Sequence, residues 1–430
     1  MTAPGGENRR SEDGSLRRTL GNTAWLTVSS AATRALAYVQ FLLAVRAFSD
    51  AEVGIYAICL TCLLFAELLA NLGLDRVLVR EIARLGYGDA RELFDNALLL
   101  KSTAALVAYG LCLVGFRCIY ADIFASHRMA VVCFLTYVPI CAVARSFESH
   151  FTAVERMAIP ALGQLAERLV LLAAAVSAWL GWIGFDSFLA VFPLAALARA
   201  ACPGLLFLGE REQRPLTLSR QKTLGLLSEA SWMFAVEIVA VAYFRVDIFM
   251  LSKMVDLRST GLYLTAYKIF DFFIAMFSGY LIAIFPAMSR KANRIRPSML
   301  ALGSGAVFLC FSLPVILLRQ GILRLFKPEY VEAAPVLVCL MLVLPLVYAN
   351  SMLANFAVAT AKVRTLFLLA LPMLAINIGL NMGLVPIFGI FGSAVATLAS
   401  EILLGLALIL ALQPFRRKAP AEPEALGEVS

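Results

Sequence analysis

Apolar residues along this chain fall in long unbroken runs separated by short polar stretches. The runs neither alternate residue by residue nor form narrow stripes. Twelve stand out: Ala24–Ala47, Val53–Leu74, Asn96–Phe116, Met129–Phe151, Ala161–Ile183, Phe188–Gly209, Ser231–Ser252, Leu262–Met288, Ser298–Leu318, Ala333–Ala357, Thr365–Phe388 and Phe391–Leu412. About 20 residues suffice for a helix to cross a hydrocarbon layer ~30 Å thick. A membrane β-barrel would show alternation instead, so a barrel is excluded. The pattern predicts an all-α polytopic membrane protein with twelve transmembrane helices.

The polar stretch "GEREQRPLTLSRQK" (209–222) divides the runs into six and six, and the halves echo one another. Trp25 precedes "GIY" (54–56) by 29 residues, and Trp232 precedes "GLY" (261–263) by the same 29. At that offset Arg46 meets Lys253, Ala35 meets Ala242, Val39 meets Val246 and Tyr38 meets Arg245. The turns "LGWIGFDS" (180–187) and "LVPIFGIFGS" (384–393) add a looser correspondence. Two six-helix lobes of the same orientation are thus expected, the parallel repeat on which several transporter folds are built. The predicted organisation is a polar tail (1–22), an N-lobe (23–209), a linker (210–224), a C-lobe (225–412) and a disordered tail (413–430).

Composition supports this picture, with 430 residues, 61% hydrophobic and 15% charged. The 37 basic residues outnumber 29 acids, and their placement matters more than their sum. With a cytoplasmic N-terminus, 23 fall on the inner side, 8 on the outer side and six within the runs. That asymmetry predicts both termini in the cytoplasm. Positives spread over alternate loops do not make a nucleic-acid surface. The first 20 residues are polar and lack the short apolar core of a signal peptide. Arg76, Arg80 and Arg84, interleaved with Leu78, Ile82 and Leu85, suggest a short helix lying on the anionic leaflet.

Nine cysteines are scattered through apolar runs, and "CLTC" (59–62) has redox spacing but no polar neighbours, so packing residues are expected. Only His127 and His150 represent histidine. Neither a metal site nor a cofactor is predicted, and the short loops leave no room for a catalytic domain, so an enzyme is not expected.

Chemistry is instead expected where charge enters the runs, because an ionisable group in a span needs a partner or a wet cavity. The bases are Arg34, Lys101, Arg168, Arg199, Arg245 and Lys268; the acids are Glu67, Glu167, Glu237, Asp247, Asp271 and Glu401. Lys268 and Asp271 are i, i+3 and can pair locally. Arg245 and Asp247 diverge by ~200° on a helix, so one can face a lumen while the other meets a neighbouring helix. Glu167 and Arg168 are expected to snorkel to the inner interface. Arg34, Tyr38, Arg245 and Lys268 are the candidate lumenal binding residues. Glu67, Asp247 and Asp271 are candidates for ion pairing or coupling. Asn377, Gly379, Asn381 and Gly383 are expected to pack helices, the asparagines by hydrogen bonds and the glycines as GxxxG.

"YFRVDIFMLSKMVDLRSTGLYLTAYKIFDFF" with "FPAMSR", and "INIGLNMGLVPIFGIFGSAVAT" near the end, resemble the polysaccharide flippase family of the multidrug/oligosaccharidyl-lipid/polysaccharide (MOP) exporter superfamily. "GNTAWL" and "LGLDRVLVREIAR" are similar too. The resemblance implies a twelve-helix, two-lobed flippase for undecaprenyl-diphosphate-linked oligosaccharide, with a basic lumen to which Arg34, Arg245 and Lys268 would contribute. It also implies a polysaccharide polymerase as partner. The alternative is a drug exporter of the same superfamily, which would bind organic cations through carboxylates. Bases or acids facing the lumen discriminate the two.

Overall fold

The computed structural model describes residues 31–210, 218–290, 297–359 and 363–412. Both predicted tails, residues 211–217 of the predicted linker and the first residues of the first run lie outside this set. The described residues are helical, with short turns and no strand. In chain order they form α1 (31–47), α2 (Asp50–Asn71), α3 (Leu74–Leu85), α4 (Tyr87–Ile119), α5 (Ala121–Ser126), α6 (Arg128–Leu135), α7 (Tyr137–Ala153), α8 (Ala158–Trp179), α9 (Phe185–Ala190) and α10 (Phe192–Glu210). They continue with α11 (Arg220–Met254), α12 (Leu257–Arg290), α13 (Pro297–Arg324), a 3₁₀ turn (Pro328–Ala333), α14 (Ala334–Ala359), α15 (Val363–Phe388) and α16 (Ile390–Leu412).

Nine helical stretches among the described residues are long and apolar enough to cross a membrane. The chain divides into two compact units. One comprises the described residues up to Thr265 together with Gln320–Ala333, and the other Ala266–Arg319 with the described residues from Ala334 onward.

Local sequence explains the helix ends in the first unit. Ser49 and Glu52 form a reciprocal capping box that starts α2. The apolar run then breaks at Leu72 and Gly73, both at positive φ (50° and 74°), which turns the chain into α3. Glycine is required at 73 for a second reason: a Cβ there would stand 3.2 Å from the Ala230 carbonyl oxygen of α11. Helix α11 begins at Arg220, inside the predicted linker. Ser219 caps it, and Asn96 Oδ1 accepts both the Ser219 N–H (2.9 Å) and the Thr223 hydroxyl (2.9 Å).

Helix α3 corrects a sequence expectation. Its apolar stripe, Leu74, Val77, Leu78 and Ile82, is buried in a core with Phe94, Phe151, Phe207, Leu226 and Ala230. The stripe is therefore covered by protein and not by lipid. Arg76 and Arg80 project from the other side to Glu237 and Glu229 of α11, the former pair at 3.1 Å.

In the second unit, Asn377 donates to the Ser400 hydroxyl (2.9 Å), and Ser393 donates to Asn381 Oδ1 (2.7 Å), joining α15 to α16. Gly379 and Gly383, expected to admit a neighbouring helix, do not do so. Both are exposed, with open space where a Cβ would stand. The reason is angular: residues two apart diverge by ~200°, so a face that presents the asparagines to α16 turns the glycines away. Close approaches fall instead on α16, where a Cβ on Gly392 would collide with the Leu384 carbonyl oxygen of α15 and one on Gly405 would lie 2.8 Å from Asn350 Oδ1 of α14. The turns that echo one another in the sequence each carry a glycine at positive φ, Gly181 (75°) and Gly389 (57°).

Candidate functional site: an arginine-lined cavity

A cavity of about 710 Å³ opens within the first unit, formed by α1, α3, α7, α8 and α10. Six arginines line it: Arg34, Arg76, Arg80, Arg145, Arg168 and Arg199. The lining carboxylates are three, Asp75, Glu148 and Glu167. Thr33, Ser149, Thr152 and Gln164 complete the polar wall.

Each lining carboxylate holds a cation. Arg199 donates from Nε and Nη2 to the two oxygens of Glu148 (2.7 and 2.8 Å) and from Nη1 to Glu167 (3.1 Å). Tyr137 donates to the other Glu167 oxygen (2.9 Å). Glu167 is buried at 1% exposure, so it does not snorkel as expected from its position. The neighbouring Arg168, 3.6 Å from Glu167, does reach the cavity. Backbone geometry sets Arg199. Pro203 lacks the N–H that would take the Arg199 carbonyl, and α8 crosses there, with a Cβ on Gly163 only 2.6 Å from that oxygen.

Asp75 is a second hub. It accepts from Lys101 Nζ (2.5 Å), from Arg145 Nε and Nη2 (3.1 and 2.9 Å) and from Ser149 (3.2 Å). Lys101 is fully buried behind the cavity. Arg145 also stands 3.6 Å from Glu67, linking that carboxylate to the wall. Six guanidinium groups thus stand against three carboxylates on the lining itself. Arg76 and Arg80 are further tied to Glu237 and Glu229, which lie outside it.

The residues singled out from the sequence scatter. Arg34 lines the cavity, and Glu67 is one residue behind it. Tyr38, half-buried, packs edge-on against Phe326 with ring centroids 6.0 Å apart. Asp247 is buried and accepts from Tyr263 of α12, while Arg245 is half-buried on a different side of α11. Neither Tyr38 nor Arg245 is among the lining residues. Lys268 and Asp271 are 3.9 Å apart in the second unit. Arg145, Glu148 and Asp75 were not predicted. The available signal was that Arg145 and Glu148 fall three residues apart inside the fourth apolar run.

No group of three or more His, Cys, Asp or Glu side chains placed to hold a metal ion occurs among the described residues. The geometry suits the reversible binding of an anion: planar, permanently charged donors on a wall whose carboxylates keep their arginines extended.

The fold is similar to those of several solved membrane transporters. The lipid II flippase MurJ, in an inward closed conformation, aligns with a TM-score of 0.70 over 90% of this chain and 87% of its own, at 14% identity. An inward-facing multidrug resistance MATE family transporter gives 0.69 over 90% and 96%, at 12% identity. A MOP transporter from Pyrococcus furiosus, described as having a binding pocket of reversed polarity, gives 0.62 over 92% and 96%, at 12% identity. At such identities the likeness is one of fold. Residues 19–291 match the model of the polysaccharide biosynthesis protein family, and the chain belongs to that family. No curated protein gives a significant match.

Proposed function

We propose that this protein is a flippase that carries an undecaprenyl-diphosphate-linked oligosaccharide from the inner to the outer leaflet of the cytoplasmic membrane by alternating access. The observation that carries this reading is the excess of arginine over carboxylate on the cavity wall. A diphosphate offers oxygens in the geometry that guanidinium groups match with paired hydrogen bonds. The hydroxyls and amide of Thr33, Ser149, Thr152 and Gln164 suit a sugar. An exporter of organic cations would require the opposite sign. Arg245 and Lys268 are proposed as further contacts along the path, and Tyr38 as a stacking surface. Glu67, Asp247 and Asp271 are proposed as bracing or coupling groups. The proposed arrangement is two six-helix lobes, with both termini cytoplasmic and a polysaccharide polymerase as functional partner.

An inside-negative potential favours outward passage of an anionic headgroup by roughly 2.3 kcal/mol per charge per 100 mV. The lipid tail would remain in the bilayer throughout. The test is a deletion strain assayed for lipid-linked oligosaccharide in each leaflet, complemented with wild type, Arg34→Ala or Arg245→Ala. Accumulation in the inner leaflet, relieved by wild type and not by Arg34→Ala, is expected. If the intermediate does not accumulate and sensitivity to cationic drugs rises, the exporter reading replaces this one.

A further inference from the structure

The repeat detected in the sequence reappears as a contact. The offset that pairs Trp25 with Trp232 also pairs Gly54 with Gly261, Asp50 with Leu257 and Arg46 with Lys253. In the first unit, a Cβ on Gly54 would collide with the carbonyl of Leu257. A Cβ on Gly261 would stand 2.8 Å from the carbonyl oxygen of Asp50 and 3.1 Å from the amide nitrogen of Gly54. Each glycine therefore meets the carbonyl one helical turn before the other. That reciprocity is the signature of a two-fold contact, here between the two halves of one chain.

A second pair obeys the same symmetry. Arg46 donates to the Leu325 carbonyl (2.7 Å), just beyond the C-terminus of α13, and Lys253 donates to the Ile119 carbonyl, the last residue of α4. These helices are the third run of each half. Each basic residue thus caps the C-terminus of the third run of the opposite half, where unpaired carbonyls and the negative end of the helix dipole gather. Charges reinforce one arm: Asp50 holds Lys327 (2.8 Å) and Arg258 (3.5 Å), and Arg258 reaches Glu332 (2.9 Å). On the other arm the Tyr120 and Ser252 hydroxyls are hydrogen-bonded at 2.7 Å, and Lys253 sits over the Tyr120 ring at 4.3 Å.

We propose that these contacts form a two-armed clasp that closes the outer mouth of the transport path, and that both arms must part for the headgroup to leave. The proposal rests on the alternating-access reading above and on the outer placement that the charge asymmetry predicts for 46–54, 117–128, 253–258 and 319–332. It explains why two glycines stand at equivalent positions of the repeat: they let the halves cross at backbone contact. It also explains why the residue paired with Arg46 is basic.

The experiment has two arms in a background whose nine cysteines are replaced. In the first, Asp50→Cys with Lys327→Cys is reconstituted in vesicles with a fluorescent polyprenyl-diphosphate-linked disaccharide. Oxidation is expected to cut its transfer at least tenfold, and reductant to restore it. Oxidised protein that transfers within twofold of reduced protein overturns the clasp. In the second arm, Thr33→Cys in the cavity is labelled from outside with an impermeant maleimide. Arg46→Ala and Lys253→Ala are each expected to raise labelling severalfold, by comparable amounts. Labelling unchanged by both overturns the clasp. This arm needs no transport, so wild type that moves no disaccharide counts against the flippase reading while labelling still decides the clasp.

Discussion

Removing the Arg199 guanidinium tests whether the cavity wall is held by its ion network. Three hydrogen bonds of 2.7, 2.8 and 3.1 Å tie it to Glu148 and Glu167. The side chains are 13%, 10% and 2% exposed, so water replaces little of what is lost. Arg199→Leu leaves two nearby carboxylates without their shared cation, and breaking a buried pair from one side costs about 3–5 kcal/mol. Much of that cost is the stranded charge. Glu148→Gln in the same chain should therefore recover part of it, with a coupling of about 1–3 kcal/mol. Arg199→Lys keeps the charge but cannot present a planar fork to both partners, so it should fall between. The assay is unfolding by sodium dodecyl sulfate in mixed micelles, followed by tryptophan fluorescence. Loss below 1 kcal/mol for Arg199→Leu, or strict additivity with Glu148→Gln, would refute the network as drawn.

Further predictions address the backbone that frames the site. Gly163→Ala should destabilise the protein and weaken binding of a diphosphate probe, because its Cβ would lie 2.6 Å from the Arg199 carbonyl oxygen; binding and stability equal to wild type would contradict this. Gly73→Ala combines a positive φ of 74° with a 3.2 Å approach to Ala230, and should cost at least ~1–2 kcal/mol in the same micelle assay. Asn377→Ala should cost about 0.6–1.7 kcal/mol through its lost bond to Ser400, whereas Gly379→Ala, facing open space, should be neutral or stabilising. Equal losses at 377 and 379 would show that both faces of α15 are packed.

Membrane class and helical architecture were legible because uninterrupted apolar length is a one-dimensional property. The offset that pairs Gly54 with Gly261 was legible too, and those two glycines lie in contact. The cavity was only partly legible. Arg34 stood out by its depth in a run, but Arg145 and Glu148 lie near the C-terminal end of theirs and read as loop residues. Asp75 follows the break at Leu72 and Gly73, which an apolar window passes over. The arginines of α3 pointed to a lipid surface, because amphipathicity gives the direction of an apolar face and not what covers it. Glu167 and Arg168, neighbours in sequence, both line the cavity, yet Glu167 is buried while Arg168 stays partly exposed, since adjacent residues on a helix diverge by ~100°. Which of two incompatible faces of α15 packs was likewise decided by α16, not by local pattern.

The Lys101–Asp75 pair bears on how the chain is made. A lysine entering the bilayer centre alone costs roughly 2.5–3.5 kcal/mol on insertion scales. Asp75, its partner at 2.5 Å, precedes it by 26 residues and has already been synthesised when Lys101 emerges. The second and third runs should therefore leave the insertion machinery together, as a hairpin with its charges already matched. Exchanging Asp75 for a neutral residue would then show first as a defect in biogenesis, with α4 failing to settle in the membrane before any transport could be measured.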